Sequence, residues 1–167
     1  LWSYSTSGSG SVWSCGVLPD VTGDGVDEAL AVVWTTDGSA IRCRNGATGG
    51  PVWSSTAVYA SGLAVDALAD VTGDGKPEVI VSSYEHAVTV LSGADGSLVW
   101  KTPVGTLNGG YIFTARATDD LDGDGLQDVI AGSADYYVYA MSGVDGAILW
   151  TYNTGNRVFS VAPLGDL

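Results

Sequence analysis

Short runs along the chain place apolar residues at every second position. Trp13-Cys15-Val17, Leu63-Val65-Ala67 and Phe113-Ala115-Ala117 follow this pattern, and Phe159-Val161 begins it again. A period of two predicts strands, including one at Phe159. Downstream of each complete run lies a second one that is apolar at consecutive positions: Ala29–Trp34, Val79–Ser82 and Val129–Ala131. Such runs suit a strand covered on both faces. Ile41–Arg44, Val88–Leu91 and Val138–Met141 come next. A tryptophan column then follows at Trp2, Trp53, Trp100 and Trp150. In the turns before the last three, Gly49, Gly96 and Gly146 stand four residues ahead of the Trp and supply a positive φ. No stretch sustains a 3.6-residue period.

The pattern repeats about every 46–50 residues, with four strands per repeat. That is the signature of a propeller blade. The expected fold is all-β, with blades of four antiparallel strands, three full repeats and partial blades at both ends. The chain reads as a single segment over 1–167. Its repeats cover approximately 13–62, 63–112 and 113–158, with partial units at 1–12 and 159–167. A β-sandwich would not repeat one turn at constant spacing, and a β-helix usually has a shorter period. Propellers typically have about four to eight blades. The chain therefore reads as an excerpt from a longer polypeptide or as a subunit whose copies complete the ring.

Composition sharpens this picture. Hydrophobic residues make up 46%, enough for a buried core. Net charge is −13, which argues against nucleic acid or an anionic membrane surface as partner. No apolar run is long enough for a transmembrane helix, and no signal-like segment is present. Of the 19 acidic residues, 12 lie in or beside three loops. Cys15 and Cys43 show no metal-ligand spacing, align with small apolar residues of the other repeats, and read as buried. On the first and third strands of one blade they would be too far apart to bridge.

The three loops are Asp20–Glu28 (DVTGDGVDE), Asp70–Glu78 (DVTGDGKPE) and Asp120–Asp128 (DLDGDGLQD). Their first aspartates are 50 residues apart, and a fourth start at Leu164-Gly165-Asp166-Leu167 follows after a further 46. Oxygen side chains at positions 1, 3, 5 and 9, with Gly at 4 and 6, form a cage for a hard cation, and Ca²⁺ is the expected guest. Filling all three would bring the formal charge from −13 to −7. The bland alternative is a solvated Asp-Gly turn in each repeat.

The D-x-(T/D)-G-D-G-x-x-(D/E) stretch resembles the FG-GAP/VCBS repeats of integrin α-subunits and of many microbial surface proteins. The resemblance implies a Ca²⁺ loop between the first two strands of each blade. Its ligands would be Asp20, Thr22, Asp24, the Val26 carbonyl and Glu28 in the first loop. The second would use Asp70, Thr72, Asp74, the Lys76 carbonyl and Glu78. The third would use Asp120, Asp122, Asp124, the Leu126 carbonyl and Asp128. Thr at position 3 departs from the commoner Asp or Asn. The third site is therefore expected to be tightest, and the Lys76 charge to weaken the second. The Gly-x-x-x-Trp column, above all Cys43-x-Asn45-x-x-Thr48-Gly49-x-x-x-Trp53, resembles the tryptophan-docking repeats of PQQ-like propellers. That resemblance implies a Trp packed between blades, without implying the quinone.

Recognition is expected where the repeats differ. Asp37-Gly38, Tyr84-Glu85-His86 and Asp135-Tyr136-Tyr137 occupy equivalent hairpin tips, where aromatic and acidic side chains suit protein or carbohydrate contacts. Ordinary surface variation is the competing reading. His86, the only histidine, has no nucleophile or carboxylate set repeated around it. Gly16, Asp66, Arg116 and Ala162 form a column on the channel-lining strand, where Asp66 and Arg116 should come close enough to pair. The expected function is an extracellular, Ca²⁺-stabilised, non-catalytic scaffold for adhesion, ligand presentation or assembly. The alternatives are the propeller domain of a polysaccharide-active lyase or hydrolase, and a subunit that builds rings or fibres by joining its ends.

Overall fold

The computed structural model describes residues 1–6, 10–35, 38–58, 62–104 and 110–163. The fourth acidic start at 164–167 and the first hairpin tip at Asp37 lie outside the described residues.

Blade 1 consists of β1 (Ser11–Leu18), β2 (Glu28–Thr35), β3 (Gly38–Arg44) and β4 (Pro51–Ser55). Blade 2 consists of β5 (Gly62–Leu68), β6 (Glu78–Ser83), β7 (Ala87–Ser92) and β8 (Leu98–Pro103). Blade 3 consists of β9 (Ile112–Thr118), β10 (Asp128–Ser133), β11 (Tyr137–Met141) and β12 (Ile148–Asn153). Each blade is one antiparallel sheet with its strands paired in chain order. The expected all-β architecture is therefore present.

Two irregularities recur in every blade. Trp13, Leu63 and Phe113 are skipped in the first-strand ladders. Val52, Val99 and Leu149 are skipped just before the column tryptophan. Bulges of this kind bend a strand and increase its twist. Residues 157–163, where a strand was expected, form none. A strand needs a partner ladder, and this segment has a single backbone bond to blade 3, from Val158 N to Ser133 O at 3.0 Å. Phe159 instead stacks on Phe113, with ring centroids 4.9 Å apart.

The core lies between blades. Leu18, Leu30, Ile41 and Cys43 of blade 1 pack with Val65, Val79, Val81 and Leu91 of blade 2. Leu68, Ile80, Val88 and Val90 of blade 2 pack with Ala115, Val129, Ala131 and Met141 of blade 3. Val79 and Val81 thus meet one neighbour while Ile80 meets the other, which is why the second-strand sequence is apolar without alternation. Cys43 is buried, but Cys15 is exposed, contrary to the sequence expectation. Val65, its counterpart in blade 2, is covered by blade 1, and among the described residues no blade lies on the corresponding side of blade 1. Cys15 pairs with Ala31 of β2 and Cys43 with Leu30, so β2 separates the two thiols, and both are free.

The tryptophans fasten the blades. Trp53 Nε1 donates to Gly93 O of blade 2, and Trp100 Nε1 to Gly143 O of blade 3, both at 2.7 Å. Trp2 makes the same bond to Gly46 O of blade 1 at 2.7 Å. The ring of Trp53 lies over Gly96, where an added Cβ would sit 2.6 Å from it. The glycine before each column Trp thus serves the neighbouring blade's Trp as well as the turn. On the channel side, Arg116 Nη1 lies 3.9 Å from Asp66 Oδ2, and both side chains are partly exposed. The pairing expected from the sequence is present.

Candidate cation loops

Each loop is wound around its first aspartate. Asp20 accepts from Gly23 N and Gly25 N, one bond to each carboxylate oxygen, both at 2.7 Å. Asp70 and Asp120 repeat this with the glycines of their own loops. These backbone donors hold all three carboxyls below the ordinary carboxylate range. For Asp20 the Gly25 N–H contributes most, and for Asp120 the Gly123 N–H. For Asp70, desolvation is the largest single influence and opposes the shift, but four backbone donors led by Gly75 together outweigh it. At position 5, one oxygen of Asp24, Asp74 and Asp124 accepts from the backbone N–H of Val26, Lys76 and Leu126 respectively.

Position 9 lies at the start of the second strand and is buried in every blade: Glu28, Glu78 and Asp128. Each closes its loop by accepting from the backbone N–H of Val21, Val71 or Leu121. The second oxygens differ. Glu28 and Glu78 take the hydroxyls of Thr22 and Thr72, each at 2.8 Å. Asp128 takes Gly143 N at 3.0 Å. Desolvation first, then the Asp70 and Asp74 charges, raises the Glu78 pKa. Desolvation and the Asp122 and Asp124 charges likewise raise that of Asp128.

The donor sets fit a cation to different degrees. Carboxylate oxygens of Asp70, Asp74 and Glu78 lie within 4.8 Å of one another, as do those of Asp120, Asp122 and Asp124. Ca²⁺–O distances are roughly 2.3–2.6 Å, so oxygens on opposite sides of one ion stand about 5 Å apart. Both sets have that span. Among the described residues Asp20, Asp24 and Glu28 form no such group. There the Asn45 amide donates to Asp24 Oδ2 at 2.6 Å and to Thr22 Oγ1 at 3.2 Å, bridging two of the expected ligands. As it stands, the first loop does not present an open cage. In the third loop Asp120, Asp122 and Asp124 of the expected set come together, while Asp128 is held by backbone donors and stands outside the group.

The repulsion expected from Lys76 is moderated, because its ammonium reaches across to the Val21 carbonyl of the first loop. Gln127 in the third loop accepts from Ala69 N beside the second at 3.0 Å. The three loops therefore form one rim, each tied to its neighbour. Each also abuts its own blade's docking turn, since a Cβ on Gly93 or Gly143 would lie 2.0 Å from the Pro77 or Gln127 carbonyl. Val26 is exposed, and Leu126 packs against the blade 2–3 core.

The hairpin tips place their residues apart from these loops. Tyr84 and His86 both meet the ring of Tyr111, at 4.7 Å and 5.2 Å between centroids. Glu85 pairs with Lys101. His86 and Tyr136 hold the same left-handed position, with φ of 59° and 80°. Tyr137 packs toward Tyr139, whose hydroxyl donates to the buried Asp135. Sequence reasoning missed Asn45, Gln127 and Tyr111. Asn45 was the accessible one, since Ser92 and Ser142 hold its place in the other blades.

Residues 70–131, from the second acidic loop to the strand after the third, match the FG-GAP-like repeat model. No curated protein matches the chain significantly. In structure the chain is similar to BamB from Moraxella catarrhalis, with a TM-score of 0.57 and 24% identity over 85% of this chain and 37% of that one. The chain thus spans well under half of that structure, and at this identity the likeness shows the fold. The chain is a β-propeller segment of three described blades, and its central part matches the FG-GAP-like repeat.

Proposed function

We propose that this chain is a Ca²⁺-braced, non-catalytic propeller scaffold that works outside the cell. The observation that carries the reading is the convergence of three carboxylates in each of two loops, within 4.8 Å, on a rim that also carries the tryptophan-docking turns. Unscreened, such groups repel one another, and a divalent cation removes that cost. The FG-GAP-like match over both loops supports the same reading. The exposure of the loops suits weak sites of the kind extracellular modules fill at roughly 0.1–1 mM Ca²⁺. The residues supply the scaffold chemistry themselves: Asp70, Asp74 and Glu78, or Asp120, Asp122 and Asp124, would hold the ion. Adhesion or presentation would use the tips, where Tyr84, His86 and Tyr111 form an aromatic surface for a protein or carbohydrate. Isothermal titration with CaCl₂, paired with melting in EDTA, tests the reading. Heat of binding and a melting temperature raised by Ca²⁺ are expected. No heat and an unchanged melting temperature would overturn it.

A further inference from the structure

We propose that the second and third loops fill cooperatively, with Gln127 as the link between them. The inference rests on the cation reading above and adds to it a coupling between the two sites. Both loops lie on the internal joint between blades 2 and 3.

Asp70, around which the second loop is wound, is held on both sides by blade 3. On its N-terminal side, Ala69 N donates to Gln127 Oε1 at 3.0 Å. On its C-terminal side, Val71 is buried in the blade 2–3 core, against which Leu126 also packs. A Val71 methyl would lie 3.5 Å from a Cβ placed on Gly143. The holding residues belong to the third loop and its docking turn. Gln127 stands between Leu126, whose N–H is taken by Asp124, and Asp128, which takes Leu121 N and Gly143 N. Its own carbonyl is pressed against Gly143, where an added Cβ would be 2.0 Å away. The third loop therefore sets where the Gln127 side chain stands.

The joint between blades 1 and 2 has neither half of this bond. Pro19 stands in the place of Ala69 and has no N–H, and Pro77 stands in the place of Gln127 and has no side-chain acceptor. The link is thus particular to the two loops whose carboxylates converge. Without a cation, each of these loops gathers three carboxylates that repel one another, and binding must first order them. An ion that fixes the third loop fixes Gln127, and with it the backbone that carries Asp70. The second site then has less ordering left to supply. Linkage makes the effect reciprocal. A single, partly exposed hydrogen bond sets its scale at about fivefold in affinity. Charge acts in the opposite sense, since a filled loop attracts its neighbour's cation less. At roughly 0.15 M salt the Debye length of about 8 Å screens that effect.

Calcium titration calorimetry of the whole chain at that salt concentration tests the inference on a mutant cycle. D122N/D124N disables the third site while leaving amide oxygens that can accept its backbone bonds. Q127A removes the link without changing a charge. In the otherwise wild-type chain, Q127A should weaken the second site about fivefold. In the D122N/D124N background it should change that site by less than about twofold. Equal losses in both backgrounds would reduce Gln127 to a structural role and overturn the inference, as would no loss in either. The cation reading would survive both results, because the wild type still binds. Absence of binding heat in the wild type would overturn the two together. Hydrogen exchange followed by NMR gives an arm that needs no fitted constants. In D74N, where the second site is disabled, Ca²⁺ should slow exchange of the Ala69 N–H. An unchanged rate would also overturn the inference.

Discussion

A glutamate at position 9 is one methylene longer than an aspartate, and that length changes which oxygens meet. Glu78 is grouped with Asp70 and Asp74, whereas Asp128 is held by Leu121 N and Gly143 N and leaves its place to Asp122. Each of these loops gathers three carboxylates by a different route. The first has the same residues as the second at positions 1, 3, 5 and 9, but the Asn45 amide bridges Thr22 and Asp24. Calorimetry should therefore find D124A far more damaging to Ca²⁺ binding than D24A, and equal losses would contradict the site ranking. Asn45→Ser, which restores the serine of the other blades, should add a further binding site. Cysteine chemistry gives an independent check. Burial first, then the nearby Glu28 charge, pushes the Cys43 thiol up to about 12, whereas Cys15 is exposed. A maleimide at neutral pH should label Cys15 in the native protein and reach Cys43 only on unfolding.

Between elements, the decisive contact is a tryptophan of one blade over a glycine of the next. Gly96 has φ +74° and lies against Trp53, while Gly155 has φ +74° with nothing within 4 Å of its would-be Cβ. The two positions separate backbone strain from crowding. Gly155→Ala should cost about 1 kcal/mol, the price of a left-handed alanine. Gly96→Ala should cost about 2–4 kcal/mol, because an overpacked interface is added. Urea denaturation measures both, and equal losses would remove the crowding argument. Much of this level was legible in the sequence. Period-two runs placed the first strands, and the uninterrupted apolar runs marked strands covered by a blade on each side. The docking partner of each Trp was not legible, because a backbone carbonyl leaves no mark on residue type. The bulges at Trp13, Leu63 and Phe113 were hidden for a related reason: alternation shows which face a residue takes, not whether the partner strand keeps step. The strand expected at Phe159 failed because pattern alone supplies no ladder.

At the scale of the molecule, the acidic rim sets how stability responds to protons and cations. Asp20, Asp70 and Asp120 have lowered pKa values, so their contribution is present above the unfolded carboxylate pKa of about 3.9 and is lost as pH falls through the folded values. Glu78 and Asp128 are shifted upward, so the fold binds their protons more tightly than the unfolded chain does. Their contribution is present below the unfolded value and is lost as pH rises through the folded one. The net charge of −13 adds self-repulsion in the same direction at neutral pH. Without metal, the melting temperature should therefore rise as pH is lowered from neutrality into the window just above the ordinary carboxylate range, then fall in stronger acid. Ca²⁺ should reverse the first limb. It stabilises ionised carboxylates, by about 2.7 kcal/mol per site at a hundredfold excess over Kd, and protons compete with it. With Ca²⁺ present, the melting temperature should be highest near neutrality and should decline steadily on acidification. Differential scanning calorimetry across pH, in EDTA and in CaCl₂, would show two curves that converge in acid. Parallel curves would mean that the ion, if bound, does not act through these carboxylates.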